Sequence, residues 1–521
     1  MIFTAGPAQV TCDRSGKVTS VRHRGFGDLS YVTGAGVGAL QVDGAFLDVP
    51  DPEVLADVDE VEFVYTFPGR LRVVVRHSFS AGWGLRLAFS NLSGDVLQID
   101  WAELALRSGA GVVAWALTLG ASAAYSVSAA SGTGPLLGAR LRLGSVHRAT
   151  ERGLELSSFT LRPDGRYVVQ LDWDWYAHPR DFTAARLSDA PSALFVTTGE
   201  AVQFRVDEDV AVVEPAGVEV ERRQDRIDVV SHYAGTYPFE LRSARGTTAF
   251  DLHWVDPVAT TLAGLVPGAL SGTRTAAGVA KLGGVAQALL VQHALAVGDV
   301  DDPDVAAEAL DLFTARLGEP DTLTALEAAY LCREFDRTGD ADLLTAATEA
   351  LLATDEPSPG TGLAATQLCL GLILSGRPVH PVLAHLSRLV AEMDPDQAYA
   401  EWSVSRQSAA LELVAVTHAG PGAAGVPASL PDLAPRIAGL GLHLGAGLRG
   451  RAVSPLPTDQ LSHLITVFQL LPEGLSGDLR RRWGHSPQTL ARLAAPELLA
   501  RLEGVSVGDA HAWLLLAPQP S

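Results

Sequence analysis

The densest group of reactive side chains is Asp394-Pro-Asp396-Gln-Ala-Tyr399-Ala-Glu401-Trp402-Ser-Val-Ser-Arg406, with three acids, two large aromatic rings and an arginine within thirteen positions. Two carboxylates, one protonated and one ionised, can cleave an acetal such as the bond between two sugars. The acid protonates the leaving oxygen while its partner attacks or activates water. Glu401 beside Trp402 suits the acid, because an apolar neighbour raises a carboxyl pKa. Asp396 and Asp394 are candidates for the partner. Trp402 and Tyr399 offer flat faces for a ring, and Arg406 offers a fixed cation. The same composition also suits a helix N-terminus, where acids complement the dipole.

A second group is Asp172-Trp173-Asp174-Trp175-Tyr176-Ala-His178-Pro179-Arg180-Asp181. Strand alternation sets Asp172 and Asp174 on one face and Trp173 and Trp175 on the other. The Tyr-Ala-His-Pro-Arg-Asp segment then reads as a loop, where binding groups are commonly displayed. Asp174, Trp175, Tyr176, His178 and Arg180 could hold a ligand. The competing reading is an aromatic core strand with a solvated acidic face.

Other motifs exclude more than they suggest. Gly34-Ala-Gly36-Val-Gly38-Ala39 approximates a dinucleotide fingerprint, but Leu40-Gln-Val-Asp follows and offers no helix N-terminus for a phosphate. The sequence has no P-loop, HExxH or Gly-x-Ser-x-Gly elbow. Its histidines are scattered, with His380 and His385 off a shared helical face, so neither a metal site nor a cofactor is expected. Cys12, Cys332 and Cys369 are an odd set without a CxxC pair, which argues against disulfides and structural zinc.

The chain of 521 residues carries a net charge of −21. That balance repels phosphate backbones and anionic lipid surfaces, so no nucleic-acid or membrane partner is expected. Lysine occurs only at Lys17 and Lys281, with arginine supplying nearly all positive charge, a composition expected of a high-GC bacterium. The first residues lack a basic segment followed by an apolar one, and apolar stretches such as 111–124 are short and broken by Gly and Ser. A cytoplasmic location is therefore expected.

The elements that must position these groups change character near residues 258–275. Before that point, segments such as 62–65, 71–79, 84–89, 97–106, 167–175, 202–206 and 218–230 alternate apolar and polar residues. Turn residues such as Pro68-Gly69 and Pro163-Asp164-Gly165 bound them. Short strands at even spacing without intervening helices predict an antiparallel sandwich. Residues 83–107 read as a hairpin with Leu85, Leu87, Phe89, Leu97 and Ile99 facing one side. Asn91-Leu-Ser93 fits the glycosylation sequon as a chance match.

After the change, Gly turns recur at about 40-residue intervals, at Gly298, Gly339, Gly376, 420–425 and 474–477. Gly just past one helix and Asp or Asp-Pro opening the next are stop and start chemistry. Helix pairs are predicted near 275–317, 322–353, 361–392, 405–440, 458–484 and 487–518, about six hairpins. The expected organisation is a β-sandwich at 1–257, a linker at 258–274 and a helical domain at 275–521.

Phe67 to Asp100 resembles the large β-sandwich that precedes the helical barrel of some carbohydrate-active enzymes. Six hairpins after a sandwich resemble the closed (α/α)6 toroid of six-hairpin glycosidases and related lyases. The run Thr324 to Leu352, with its helix–Thr-Gly-Asp–helix pattern, is similar to the hairpins of those toroids. The resemblance implies a glycan or other small-molecule ligand and a glycoside hydrolase using general acid and base carboxylates. It equally admits a non-catalytic scaffold or binding protein, and it indicates no protein partner. In such a toroid, loops entering the inner helices gather on one face. Here they would be Glu319-Pro-Asp321, Asp355-Glu356, 394–406, 449–459 and Gly484-His485. The helical half has only Trp402, Trp483, Trp513, Tyr330 and Tyr399 as Trp or Tyr, which is sparse for a sugar pocket.

Overall fold

The computed structural model describes residues 1–517 apart from 81, 187–189, 207–209, 244–245, 273–277, 357, 392–402, 420–432, 446–449 and 473–476. The chain forms an antiparallel β-sandwich followed by an (α/α)6 helical toroid. Two compact units divide it. One holds Met1–Trp254, Gly445–Pro455 and Arg482–Gly484; the other holds Val255–Leu444, Leu456–Arg481 and His485–Ser521.

In the first unit, the described residues build two nine-stranded sheets. Alternation in sequence becomes alternation in burial: along Leu71–Ser78 every second side chain is buried. One continuous apolar core takes Val10, Val21, Leu40, Ile99 and Leu104 from the first sheet and Phe63, Val73, Val75, Leu87 and Leu171 from the second. Residues 83–107 are not a hairpin. Trp83–Asn91 is a central strand of the second sheet, paired along its length with Leu71–Ser78 and with Arg166–Tyr176. Leu97–Ser108 lies in the first sheet between Ser30–Val42 and Gly153–Leu156. The turn carries the chain from sheet to sheet, because pairing with distant strands on both sides of each strand outweighs one local pairing. Asn91 holds that turn, its buried amide donating to the carbonyls of Asp95, Leu161 and Arg162 at 2.7, 3.1 and 3.1 Å.

Two smaller sheets complete the unit, around Phe204, Phe239, Phe250 and Trp254. Residues 218–230, which read as one strand, are a tight hairpin of Glu219–Arg223 with Arg226–Val230. Gln224 turns it at φ 41°. The short helix α1 (Pro179–Arg186) follows the Asp172–Tyr176 segment.

The helical half departs from the expected boundaries at two places. Residues 258–274, expected as a linker, contain helix α2 (Val258–Leu270), whose buried Leu262, Val266 and Ala269 pack into the helical core. Residues 445–455 belong to the sandwich unit: Arg451–Ala452 adds an edge strand beside Val112–Leu119. Gly445 permits this, since at φ +61° a Cβ there would fall 1.6 Å from the Trp115 ring.

The second unit contains α3 (Val285–Val297), α4 (Pro303–Thr314), α5 (Ala325–Thr338), α6 (Ala341–Leu352), α7 (Thr361–Leu374) and α8 (His380–Ala391). It continues with α9 (Val404–Ala419), α10 (Leu433–Leu444), α11 (Thr458–Leu470), the short α12 (Gly477–Trp483), α13 (Pro487–Leu502) and α14 (Asp509–Leu516). Helices α3, α5, α7, α9, α11 and α14 each pack on the next, and α14 packs on α3, so the inner ring closes. Around it α4 lies against α3, α6 against α5 and α7, α8 against α7 and α9, and α13 against α11. Helix α2 also lies against α3. Capping follows the sequence signals. Asp302 caps α4, Thr324 and Glu327 form a capping box on α5, Asp340 caps α6, and Gly298 and Gly339 end α3 and α5 in left-handed conformation.

Candidate functional site

From α3 to α11 one outer helix lies between each inner helix and the next, which returns the chain to the same end, and α14 runs parallel to α11. Thr466 and Ser462 on α11 donate to the carbonyls of Trp513 and Ala510 on α14, each step forward on one helix matching a step forward on the other. The N-termini of the inner helices therefore gather at one end of the toroid. This end receives the turns at Glu319–Asp321, Asp355–Glu356, 403–406 and 456–457. Residues 503–508, which precede α14, join them. Gly484-His485 precedes α13, an outer helix, and does not belong to the set.

Of the residues expected to act here, Asp394, Asp396, Tyr399, Glu401 and Trp402 lie outside the described residues. Arg406, in the first turn of α9, reaches toward Glu356, which precedes α7, with Nη2 3.6 Å from Oε2. That exposed pair places a cation at the toroid's N-terminal end, four residues past Trp402 in sequence.

One turn along α9 begins a chain of groups that the sequence did not reveal. Helix α7 starts at Gly360, whose φ of 90° suits glycine but supplies no capping side chain. Glu412, fully buried on α9, takes that role from a neighbouring helix. It accepts from the backbone N–H of Gly360 at 2.9 Å and of Leu363 at 2.7 Å. It also pairs with Nε2 of His463 on α11 at 2.6 Å. The other ring nitrogen, Nδ1, lies 3.0 Å from Ser408 Oγ, and Ser408 in turn donates to the Ser405 carbonyl at 2.9 Å. Trp513 meets the imidazole edge-on with centroids 4.8 Å apart.

Ser408, His463 and Glu412 thus form a serine–histidine–carboxylate chain, but all three are at most 2% exposed. A nucleophile must be reached by its substrate, so the arrangement as it stands fixes geometry and does not attack. Removing Glu412 or His463 would leave the other buried polar group without its partner, a loss of about 1–3 kcal/mol. The chain ties α7, α9 and α11 together directly below Arg406. Its one sequence signal is an isolated acid and an isolated histidine inside apolar helical runs, with Ser408 and Glu412 four apart on one face.

The other predicted group makes mostly local contacts in the sandwich unit. Trp173 is buried and stacks on Trp83 with centroids 4.7 Å apart. Trp175 meets Tyr31 and His23 edge-on at 4.8 and 4.9 Å. Tyr176 packs on Phe182 of α1. Asp181 accepts from the backbone N–H of His178 at 3.1 Å and lies 3.6 Å from Arg180 Nε, closing the first turn of α1. Asp172 pairs with Arg142, and Asp174 lies opposite Gly138 in the sheet.

The three cysteines are free and buried, and burial raises each thiol, Cys12 and Cys332 to about 12. Among the described residues no cluster of His, Cys, Asp and Glu could hold a metal ion. No described helix is long and apolar enough to cross a membrane.

A β-sandwich followed by a six-hairpin toroid with its inner helices in parallel defines an architecture class. No protein-family model matches the chain, and no curated protein matches it in sequence. In fold the chain is similar to a solved structure described as a polysaccharide lyase. The TM-score is 0.75 at 12% identity, covering 96% of this chain and 93% of that one. A second solved structure, described as a kojibiose phosphorylase from the human microbiome, covers 99% of this chain and 86% of that one. Its identity is 10% and its TM-score 0.26, so no argument rests on it.

Proposed function

We propose that this protein is a carbohydrate-active enzyme that cleaves glycosidic bonds at the N-terminal end of its helical toroid. The observation that carries the reading is likeness along almost the whole chain to a structure described as a polysaccharide lyase. Glu401 would serve as general acid, with Asp396 or Asp394 as its partner carboxylate. Trp402 and Tyr399 would stack on sugar rings. Arg406 would bind a substrate oxygen, and the sealed Ser408–His463–Glu412 chain would hold α7, α9 and α11 in register beneath it. The test is a panel of neutral and uronate-containing polysaccharides, followed both by new reducing ends and by the ultraviolet absorbance of an unsaturated uronate. Glu401→Gln and Asp396→Asn should each lower turnover by about a hundredfold or more, the usual contribution of a general acid or base. Turnover unchanged in both variants rejects the assignment. Reducing ends with no unsaturated product mark hydrolysis; unsaturated product marks elimination.

A second reading is a non-catalytic glycan-binding protein of the same architecture. It is favoured by the described Trp and Tyr side chains of the helical half: Tyr330, Trp483 and Trp513 are all buried. Binding of a glycan without cleavage in the same panel would select this reading.

A further inference from the structure

Ser408, Glu412 and His463 are sealed from water, each at most 2% exposed. Polar atoms in such a place are matched donor to acceptor, so the partners decide where the hydrogens lie. Glu412 accepts the Gly360 N–H at Oε2 and the Leu363 N–H at Oε1. Its Oε2 also faces Nε2 of His463 at 2.6 Å, so a hydrogen lies between those two atoms. On the far side of the imidazole, Ser408 Oγ has one hydrogen and two neighbours. They are the Ser405 carbonyl at 2.9 Å and Nδ1 at 3.0 Å. A carbonyl can only accept. The Ser408 hydrogen therefore goes to Ser405, and Nδ1 supplies its own hydrogen to Ser408 Oγ. The opposite choice would leave two oxygens 2.9 Å apart with no hydrogen between them.

Both ring nitrogens thus carry a hydrogen, one more than a neutral imidazole beside a carboxylate provides. The two backbone N–H groups at the start of α7 favour the ionised form of Glu412, so the extra proton rests on the ring. Imidazolium and carboxylate are together neutral. Loss of the proton would leave a single negative charge in a dry site, which is costly.

We propose that His463 is held as an imidazolium up to mildly alkaline pH, and that its proton is a switch for the N-terminal end of the toroid. On release, the Ser408 hydroxyl turns from the Ser405 carbonyl to Nδ1, and Glu412 stays behind without a counter-ion. Water drawn to that charge loosens the start of α7 from α9 and α11, next to Arg406. The remaining titratable groups on the helices packed against α11 are Arg406 on α9, Arg436 and His443 on α10, Arg492, Glu497 and Arg501 on α13, and Asp509 and His511 on α14. Arg406 faces Glu356, and Glu497 pairs with Arg501. Burial lowers the pKa of His443 and His511 and keeps both neutral. The protonation of His463 does not rest on the proposed reaction; any effect on turnover does.

The experiment is NMR of the full chain, labelled at histidine Cε1, from about pH 6 to about pH 10. The His463 signal is the one lost in His463→Gln and displaced in Trp513→Phe, so either variant assigns it. A free imidazole has lost its proton by about pH 8. There the His463 signal should still stand at its protonated position, and it should move only at higher pH. Amide exchange at Gly360 and Leu363, corrected for pH, should quicken with it. Ser408→Ala removes the acceptor at Nδ1 and should bring release down by about one pH unit, a tenfold weaker hold. Ser408→Thr, which keeps the hydroxyl, should not. In denaturant, the folded-to-unfolded ratio should fall by up to about tenfold per pH unit from about pH 6.5 to the point of release. The reason is that the folded chain keeps a proton that the unfolded chain has given up. A His463 signal at its neutral position at about pH 8 overturns the proposal, whatever the chain cleaves. Late release with unchanged exchange at Gly360 and Leu363 rejects the switch. Late release in a chain that cleaves no glycan rejects the catalytic reading alone.

Discussion

At the scale of single residues, side chains with the clearest chemistry in the sequence and those with the strongest constraints in the structure are largely different sets. Asp172, Trp173, Trp175 and Tyr176 stood out as a run of chemically rich types, yet most of them hold a core strand together. Glu412, His463 and Ser408 did not stand out, because partners on three helices cannot be read from one linear string. His77 shows how a buried group leaves a measurable mark. It is fully buried among Phe63, Phe79 and Trp83, and its Nδ1 accepts from the Trp83 indole at 3.2 Å. Burial lowers its pKa from 6.5 to about 3. A histidine depressed in the folded state stays neutral there, while the unfolded chain takes up a proton below about pH 6.5. His77 should therefore cost stability as pH falls from about 6.5 toward 3, at up to about 1.4 kcal/mol per pH unit. Urea unfolding at a series of pH values should show a shallower acid slope in His77→Phe than in the parent. Identical slopes would mean that His77 is protonated in the folded chain.

At the scale of elements, period and punctuation were legible and partnership was not. The alternation that predicts Leu71–Ser78 and the caps at Asp302, Thr324 and Asp340 are local, so one string contains them. That Trp83–Asn91 and Leu97–Ser108 belong to different sheets depends on ladders with distant strands. The same holds for the edge strand at Arg451–Ala452, two residues long and embedded among helices, which no periodicity could announce. Its dependence on Gly445 can be tested. Gly445→Ala combines a left-handed backbone with overlap on Trp115, and should cost about 2–4 kcal/mol. Gly504 has a φ of +71° but open space around it, so Gly504→Ala should cost only about 1 kcal/mol. Equal denaturation midpoints for the two variants would show that the Trp115 contact does not hold the strand.

At the scale of the molecule, the sequence count of about six hairpins reached the right architecture, while two local assignments differ. Taking α3 as the opening helix left α2 in a linker and assigned Gly484-His485 to the inner face. Closure shows which helix is inner at the end of the chain: α14 meets α3, more than two hundred positions earlier. Helix α14 is short for such a task, but it buries Trp513, Leu514, Leu515 and Leu516 almost completely. At about 1.5–3 kcal/mol for each large apolar side chain, these four contribute about 6–12 kcal/mol, comparable to the whole stability of a typical domain. It also accepts the hydrogen bonds of the buried Ser462 and Thr466 hydroxyls through the Ala510 and Trp513 carbonyls. Ending the chain before Asp509 should therefore unfold the ring as a whole and not fray its last hairpin. The expected outcome is loss of most of the helical far-ultraviolet signal and of its cooperative melting step. Leu514→Ala should lower the same step while preserving cooperativity. A truncated chain that keeps full helicity and melts at the parental temperature would show that the toroid does not need its seam.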